Sequence, residues 1–569
     1  MSRDLFARIA LAQIPKILTL LDRNPHSPTY GCFDRNFWHY KIIDFPSGMS
    51  QEFVWPLALA YQTDVPENPF YQESSIRDWV EAGILYAARS AHADGSCDDY
   101  FPYERAAGAS AFSLLACVES YQLLELDNKE ALRFFERRAD WLAHHEESGQ
   151  LTNHQALIVL CLELVGRLLQ TSKWKRAKLR RFERVLDWQR DEGWFPEYEG
   201  CDPGYHTLTL WCLARLERMR SPSDPRLKEA LVKAVELASL FIHPDGSYGG
   251  EYSSRNTYNF FPHGFELAGR WIPKALAIND LFLQGLENGK APCYADDHII
   301  GHHTWNYLLA WQDFIEERPE PLPRPLGQIW LKEANLLVIR HPTVEIESAG
   351  EIGAKEVEEE NERSEMPETT AISSEGAIVE LYVSLNKGGT FKLFRDRQLV
   401  ASDTHFSLQV RHGGKLKNAV GHLIANDKVS IEKNEIIIIG QLGWAKQQQM
   451  TPLKMMILRS VMLTGGRFFP NLIRKILQAM LITGKQDAPF HFTRTFRWED
   501  GYWNISDELF SQSKSWKKVV SAGIGCAQTS IYIVMSRTFQ LGQLLPWLDL
   551  TDRVKELSQG QSLRVDRKL

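Results

Sequence analysis

The segment DEGWFPEYEGCDPGYHTLTLWCLARLERM, residues 191–219, joins a polar, glycine-containing loop directly to an apolar helix. The loop closes on Asp202-Pro203-Gly204: a helix-capping acid, then a proline whose fixed φ and missing N–H suit the first helical position. Beyond it, Leu208, Trp211, Cys212 and Leu216 recur at three- and four-residue spacing, which predicts one buried helical stripe. Tyr205 and His206 then fall in the first turn. A phenol and an imidazole stand together at the mouth of a helix.

The same unit recurs upstream and downstream. Helical periodicity marks SSIRDWVEAGILYAARSA (74–91), RAAGASAFSLLACVESYQLL (105–124), NHQALIVLCLELVGRLL (153–169) and LKEALVKAVELASLFI (227–242). Between pairs of these runs lie Asp94-Gly95-Ser96, Glu147-Ser148-Gly149, Glu192-Gly193-Trp194 and Asp245-Gly246-Ser247. A period of roughly 50 residues fits a helical hairpin with its connections. Repeated hairpins predict an (α/α) toroid over residues 1–316, an inner ring of helices wrapped by an outer one, with an open α-solenoid as the alternative. The N-terminal MSRDLFARIALAQIPKILTLLDRNP has apolar residues at helical spacing and reads as an amphipathic helix, not a signal peptide.

After the proline-rich EERPEPLPRPLGQ the texture changes, so 317–330 is expected to be a linker. ANLLVIRH, AIVELYVSL, GTFKLF, KVSIEKNEIIIIG, FHFTRTFRW and YWNISDEL have strand character, with turns at Asn386-Lys387-Gly388-Gly389 and Glu499-Asp500-Gly501. Residues 331–569 are therefore expected to form an antiparallel β-sandwich, making a multidomain α and β chain. Two insertions interrupt it. Residues 345–368 carry ten glutamates against one lysine and one arginine, an expected disordered loop. Residues 453–485 are apolar, with six basic residues and no acid. Such a segment suits peripheral contact with an anionic membrane, although a helical hairpin packed on the sheet is the preferred reading.

The 569 residues are 44% hydrophobic and 24% charged, the balance of a soluble globular protein. The net charge of −7 gives no reason to expect nucleic acid. The 17 tryptophans suit carbohydrate clefts but suit thick helical packing better. Eight cysteines are scattered without a CxxC pair, and several lie within apolar helices, pointing to free thiols in a reducing compartment. A cytoplasmic location, with membrane association left open, is expected. No metal-ligand spacing, phosphate-cradling glycine loop or GxSxG elbow is present. No cofactor is expected; a divalent metal is left open.

Candidate chemistry gathers at helix starts. Thr152-Asn153-His154-Gln155 has capping-box form, which would put Asn153 and His154 in a first turn. Pro262-His263 repeats the arrangement, and Gly301-His302-His303 is a further instance. In a toroid the inner-helix N-termini open at one end of the ring. His154, Tyr205, His206, His263 and His302 are then expected to converge on one mouth, whose helix dipoles favour an anion. Arg255 and Tyr258 in GGEYSSRNTYNFF, with Glu251, precede one of these starts. A guanidinium there suits a carboxylate ligand. Taken singly, each residue has an ordinary structural alternative: a cap, a satisfied core histidine or a loop tie. Amide or arginine to neutralise a uronate carboxylate, with tyrosine and histidine to move protons, is the equipment of β-elimination.

LTNHQALIVLCLELVGRLL (151–169) resembles the Asn-His helix start of heparinase II/III-like polysaccharide lyases, and EYEGCDPGYHTLTLWCLARL (197–216) resembles their Tyr-His segment. YGCFDRNFWHYKIIDFPSGMSQEFVWPLALAY (30–61) looks like the early segment of members associated with bacterial surface-polysaccharide production. The resemblance covers most of the chain. It implies that Asn153 neutralises the carboxylate with His154 beside it, that Tyr205 serves as base or acid, and that His206 orients it or shares the proton work. The family's remaining catalytic group is a histidine of the β domain. This sequence lacks its G-H-x-H-type turn, and the nearest positions are His405 and His412. The expected function is cleavage of an acidic bacterial poly- or oligosaccharide by β-elimination. The alternatives are a catalytically silent glycan-binding or assembly protein, and a glycoside hydrolase using carboxylates such as Glu197, Glu199 or Asp202.

Overall fold

The computed structural model describes residues 2–147, 149–197, 200–291, 293–294, 297–343, 378–423, 428–445, 451–478, 486–525, 538–539, 547–558 and 561–569. Within them, Val54–Gln62, Ala107–Leu123, Thr152–Leu168, Pro203–Met219, Pro262–Gly269 and Asp297–Gln312 each pack on the next, and the last packs on the first. These inner helices form a closed ring, so the open solenoid is not what the chain builds. Ser74–Ser90, Lys129–His144, Lys175–Trp188, Pro225–Phe241 and Pro273–Glu287 lie outside it. The amphipathic N-terminal helix Asp4–Leu11 completes the outer layer against Asp297–Gln312, where Trp311 donates to Asp4 at 3.1 Å. Inner helices such as Ala107–Leu123, rich in Ala, Ser and Gly, are buried nearly all round; outer ones such as Lys129–His144 bury one stripe.

The repeated loops share one device. Gly95 and Gly193 take φ of +89° and +92°, and a Cβ on either would strike the backbone of the next outer helix, at Arg138 and Lys233 respectively. Along the ring axis Trp55 stacks on Trp305 at 4.5 Å, and Trp211 lies 4.8 Å from Trp305, all at most 1% exposed. Here tryptophan is packing material.

Beyond the linker, Gly327–Leu331, Leu336–Pro342, Ile378–Ser384, Thr390–Arg395 and Gln398–Asp403 form a five-stranded antiparallel sheet. A nine-stranded antiparallel sheet follows, its middle formed by Glu435–Ala445, Asp487–Glu499 and Tyr502–Ser511. The smaller sheet is buried on both faces. Leu336, Val338, Tyr382 and Phe394 join the helical core, while Leu337, Ile339, Leu381 and Val383 join a second core shared with the larger sheet. The architecture is therefore mixed helical and antiparallel, and the expected sandwich is carried only as far as two antiparallel sheets sharing a core. Strands at Gln398–Asp403, Phe406–His412, Lys415–Val420, Val519–Gly525 and Ser562–Lys568 come in addition to those expected.

The acidic stretch 345–368 lies outside the described residues. The basic insertion forms two helices, Pro452–Thr464 and Pro470–Gln478, with 479–485 outside the described residues. Its described polar contacts run to the toroid, Arg459 to Asp44 and Asn471 to the Glu146 carbonyl, and most of its apolar side chains are exposed. Six cysteines are buried free thiols, and burial pushes Cys32 and Cys117 up to about 12. Among the described residues no helix is long and apolar enough to cross a membrane.

Trp55→Ala should leave a cavity on the ring axis. We expect a loss of about 3–5 kcal/mol, read as a lowered urea midpoint of the helical circular-dichroism signal.

Candidate active site

The mouth is built on two neighbouring inner helices. Asp202 caps Pro203–Met219 as expected, accepting from the Tyr205 amide at 3.0 Å, with Pro203 in the first turn. The capping box at Thr152 is not formed. Thr152 Oγ1 donates instead to the Pro196 carbonyl at 2.7 Å, and Gln155 accepts from Arg181 at 2.6 Å. Glu197, from the adjacent loop, takes over the cap: its carboxyl accepts from Asn153 N at 2.8 Å and from Asn153 Nδ2 at 2.6 Å.

The loop 249–261 folds back over Asp202. The Asp202 carboxyl also accepts from Ser253 Oγ (2.8 Å), Arg255 N (3.0 Å), Thr257 N (3.3 Å) and Thr257 Oγ1. Gly204 permits this approach, because a Cβ there would lie 2.0 Å from Thr257 Oγ1. Arg255 acts electrostatically on Glu197. Asn153, Tyr205 and Arg255 are thus gathered through one buried Glu197–Asp202 pair, with Tyr205 and Arg255 partly exposed. Burial holds the Glu197 carboxyl well above the usual carboxylate range; nearby Asp202 adds to this, and the Asn153 bonds and Arg255 oppose it. Both helix N-termini are therefore occupied by the protein's own carboxyl groups. The free dipole field expected for an anion is not what this mouth offers; the Arg255 guanidinium is nearer that role.

His154 stands beside Asn153 with its side chain 21% exposed, Nδ1 held by Glu147 at 2.6 Å. An ionised carboxylate only accepts, so Nδ1 is the donor, and in the neutral ring Nε2 keeps its lone pair. Gly108 makes room for this ring, since a Cβ there would come within 2.8 Å of it.

Other expected members lie elsewhere. His206 turns away from the mouth to the outer helix, where Nε2 meets the Ala234 carbonyl at 2.8 Å and the ring stacks on Phe195. Burial lowers it to about 4. His263 accepts from Trp211 at 2.9 Å and bonds Asp313 at 2.9 Å, in a pocket of about 450 Å³ lined by the C-terminal ends of inner helices, the opposite end of the ring. His302 sits within Asp297–Gln312, buried between Phe112 and Glu52. His405 is 1% exposed within the β domain against Phe492, and His412 lies on the hairpin with Lys415–Val420, beside Trp444. His405 also packs against Gly388, next to Lys387 in the turn that meets loop 249–261. Tyr258 and Glu251 are buried beneath it, at the junction with the β domain: Lys392 lies 4.5 Å from the Tyr258 ring and 3.6 Å from Glu251. Among the hydrolase candidates, Asp202 and Glu197 are engaged as described, and Glu199 lies outside the described residues.

Three contributors escaped sequence reasoning. Glu147 belongs to a repeat loop, which was the available signal. Glu197 looked like one loop acid among several. Lys387, whose Nζ donates to the carbonyls of Glu251 and Ser253 at 2.8 Å and to Asn256, arrives from a β-turn 131 residues and more away. Asn153 Oδ1, Ser254 Oγ, Tyr258 Oη and Glu251 Oε1 are buried with no hydrogen-bond partner among the described residues. Among the described residues, no group of three or more His, Cys, Asp or Glu side chains is placed to hold a metal ion.

No protein-family model and no curated protein matches the chain. Solved structures do. A Paenibacillus xanthan lyase is similar with a TM-score of 0.50 and 10% identity, over 91% of this chain and 46% of that one. The chondroitin AC lyase of Streptomyces coelicolor A3 gives 0.45 and 9%, over 92% and 67%. The cellobiose 2-epimerase of Bacillus thermoamylovorans gives 0.42 and 12%, over 54% and 98%. The likeness to the xanthan lyase is one of fold alone, and this chain spans less than half of that protein's length.

Two pH effects follow. Neutral His206 stabilises fully above its unfolded value near 6.5, and this is lost as pH falls towards about 4. The loss is worth at most roughly 3 kcal/mol, so His206→Gln should flatten the acid limb of a stability–pH curve. Glu197 runs the other way: its raised value favours the fold below about pH 4.3 and is lost as pH rises. Glu197→Gln should therefore gain on the wild type in urea midpoint between pH 5 and pH 8.

Proposed function

We infer that the protein is a polysaccharide lyase-like enzyme acting on an acidic, uronate-containing glycan at the mouth of the helical ring. The observation that carries this reading is the gathering of Asn153, Tyr205 and Arg255 around Glu197 and Asp202, with the Glu147–His154 pair on the neighbouring helix. It is supported by the fold shared with a protein that by its name is a xanthan lyase. The heparinase II/III-like branch, a link to surface-polysaccharide production, the sandwich form of the β domain and the boundaries 1–316, 317–330 and 331–569 are part of the same proposal.

In this mechanism Arg255 and Asn153 stabilise the extra charge that develops on a uronate carboxylate when C5 loses its proton. His154 Nε2, bare because Glu147 holds the Nδ1 proton, accepts that proton; alternatively the Tyr205 phenolate does so. The electron pair forms the C4–C5 double bond and the C4–O bond breaks. The Tyr205 hydroxyl donates its proton to the departing oxygen. The products are an unsaturated uronate and a free hydroxyl at the new chain end, so atoms and protons balance.

The test incubates purified protein with a panel of acidic polysaccharides and follows the ultraviolet band of the unsaturated uronate. Tyr205→Phe should lower the rate by about 10²–10⁴-fold, and His154→Ala by a similar factor, with unchanged far-ultraviolet circular dichroism. Reducing ends without the band would sink elimination in favour of hydrolysis. Binding without either product would leave the silent glycan-binding protein.

A further inference from the structure

Residues 452–478, PLKMMILRSVMLTGGRFFPNLIRKILQ, contain five lysines and arginines and no acid, in a chain whose net charge is −7. On the helix Pro452–Thr464 the buried Met462 points one way. Nine residues earlier, about two and a half turns, Leu453 lies on the opposite face, with Met456 and Ile457 one turn on and Leu463 beside them. With Phe468 and Phe469 of the connecting turn, these six side chains are 54–65% exposed. Leu472 and Ile476 continue the apolar surface one turn apart on Pro470–Gln478. Lys454 and Arg459 flank the apolar stripe of the first helix, and Arg467 covers the Phe468 ring at 4.9 Å.

We propose that this helical pair docks the protein onto an anionic lipid surface, lying in the interface with its apolar face among the acyl chains. The helices have 13 and 9 residues, about 20 and 14 Å, too short for a hydrocarbon core of about 30 Å. An amphipathic helix with basic flanks lies on such a surface instead. Charge complementarity decides the occupant. A second copy docked face to face would oppose basic residues to the same basic residues, whereas an anionic bilayer supplies both the apolar phase and the opposite charge. Because the rest of the chain is acidic, this face also determines which way the molecule turns towards a negative surface.

The neighbouring loop extends the patch. Asp44 pairs with Arg459, and its loop presents Tyr40 and Ile42, 54% and 70% exposed. Asn471 Nδ2 donates to the Glu146 carbonyl at 3.3 Å, one residue before the Glu147 that holds His154. Docking would therefore place the mouth of the ring close to the lipid surface. None of this depends on the elimination chemistry.

The test is co-sedimentation of the full chain with vesicles of phosphatidylcholine alone or with phosphatidylglycerol added. Partitioning should be at least tenfold stronger on the phosphatidylglycerol vesicles and should weaken as salt rises. The exposed pair Phe468→Ser/Phe469→Ser should lose at least tenfold, with an unchanged unfolding midpoint. Arg467→Gln/Lys475→Gln should lose about fivefold per charge, and decides the matter alone if the first variant misfolds. The proposal is overturned by no sedimentation with phosphatidylglycerol vesicles, or by variants that sediment like the wild type. Self-association in the ultracentrifuge that Phe468→Ser/Phe469→Ser abolishes, without vesicle binding, would assign the face to a second copy instead.

Discussion

The mouth depends on one carboxylate. Asp202, fully buried, accepts hydrogen bonds from Tyr205 N, Ser253 Oγ, Arg255 N, Thr257 N and Thr257 Oγ1. A buried charge is stable only when so supplied with donors. Asp202 therefore starts an inner helix and also orders the irregular loop that brings Arg255 over that helix. Its charge has a further consequence at Glu197, where it reinforces the effect of burial in keeping the neighbouring proton in place. One aspartate thus sets the backbone of the site and adds to the effect of burial on the group beside it.

What could be read from the sequence was what is decided locally. The ring was legible because every repeat solves the same problem within its own 50 or so residues, a left-handed glycine laid against the next outer helix. The Asp202 cap was legible for the same reason. The Thr152 box was not: its apparent partners are drawn away by Pro196 and Arg181, and the actual cap comes from Glu197, 44 residues on. Adjacent helical residues point about 100° apart, so Tyr205 can border the mouth while His206 faces Ala234. Nothing in the pair itself says which is which. The strand Phe406–His412 alternates, with Phe406, Leu408 and Val410 inward, and Gly413-Gly414 marks the turn to the more weakly patterned Lys415–Val420, so this hairpin was legible, although it is not among the expected strands.

The five-stranded sheet sets what the β domain brings to the mouth. One face of the sheet packs on the helical core, and the turn at 385–389 adds Lys387 at loop 249–261. His405 is buried directly behind that turn, against Gly388, Gly421 and Phe492. The β domain thus meets the loop under the mouth through Lys387, Lys392 and Ser402, whose Oγ donates to Glu251 at 3.3 Å. Lys387 is spent on the backbone of loop 251–256, and Lys392 lies under Tyr258. Both shape the loop from beneath, and Arg255 remains the cation nearest an incoming anion.

That distribution of charge bears on which chemistry the scaffold favours. Glycoside hydrolysis by two carboxyl groups needs one to hold water or attack carbon, and the other to donate a proton to the leaving oxygen. Asp202 has both oxygens engaged by buried donors, and Glu197 has both engaged by Asn153. Freeing either would unravel a helix start. Elimination asks less of them. An immobile Glu197 held towards its neutral form adds little negative charge against a substrate carboxylate that Arg255 can meet, while proton transfer falls to His154 and Tyr205. The carboxyl groups that make the fold are thereby compatible with a lyase and poorly disposed to a hydrolase.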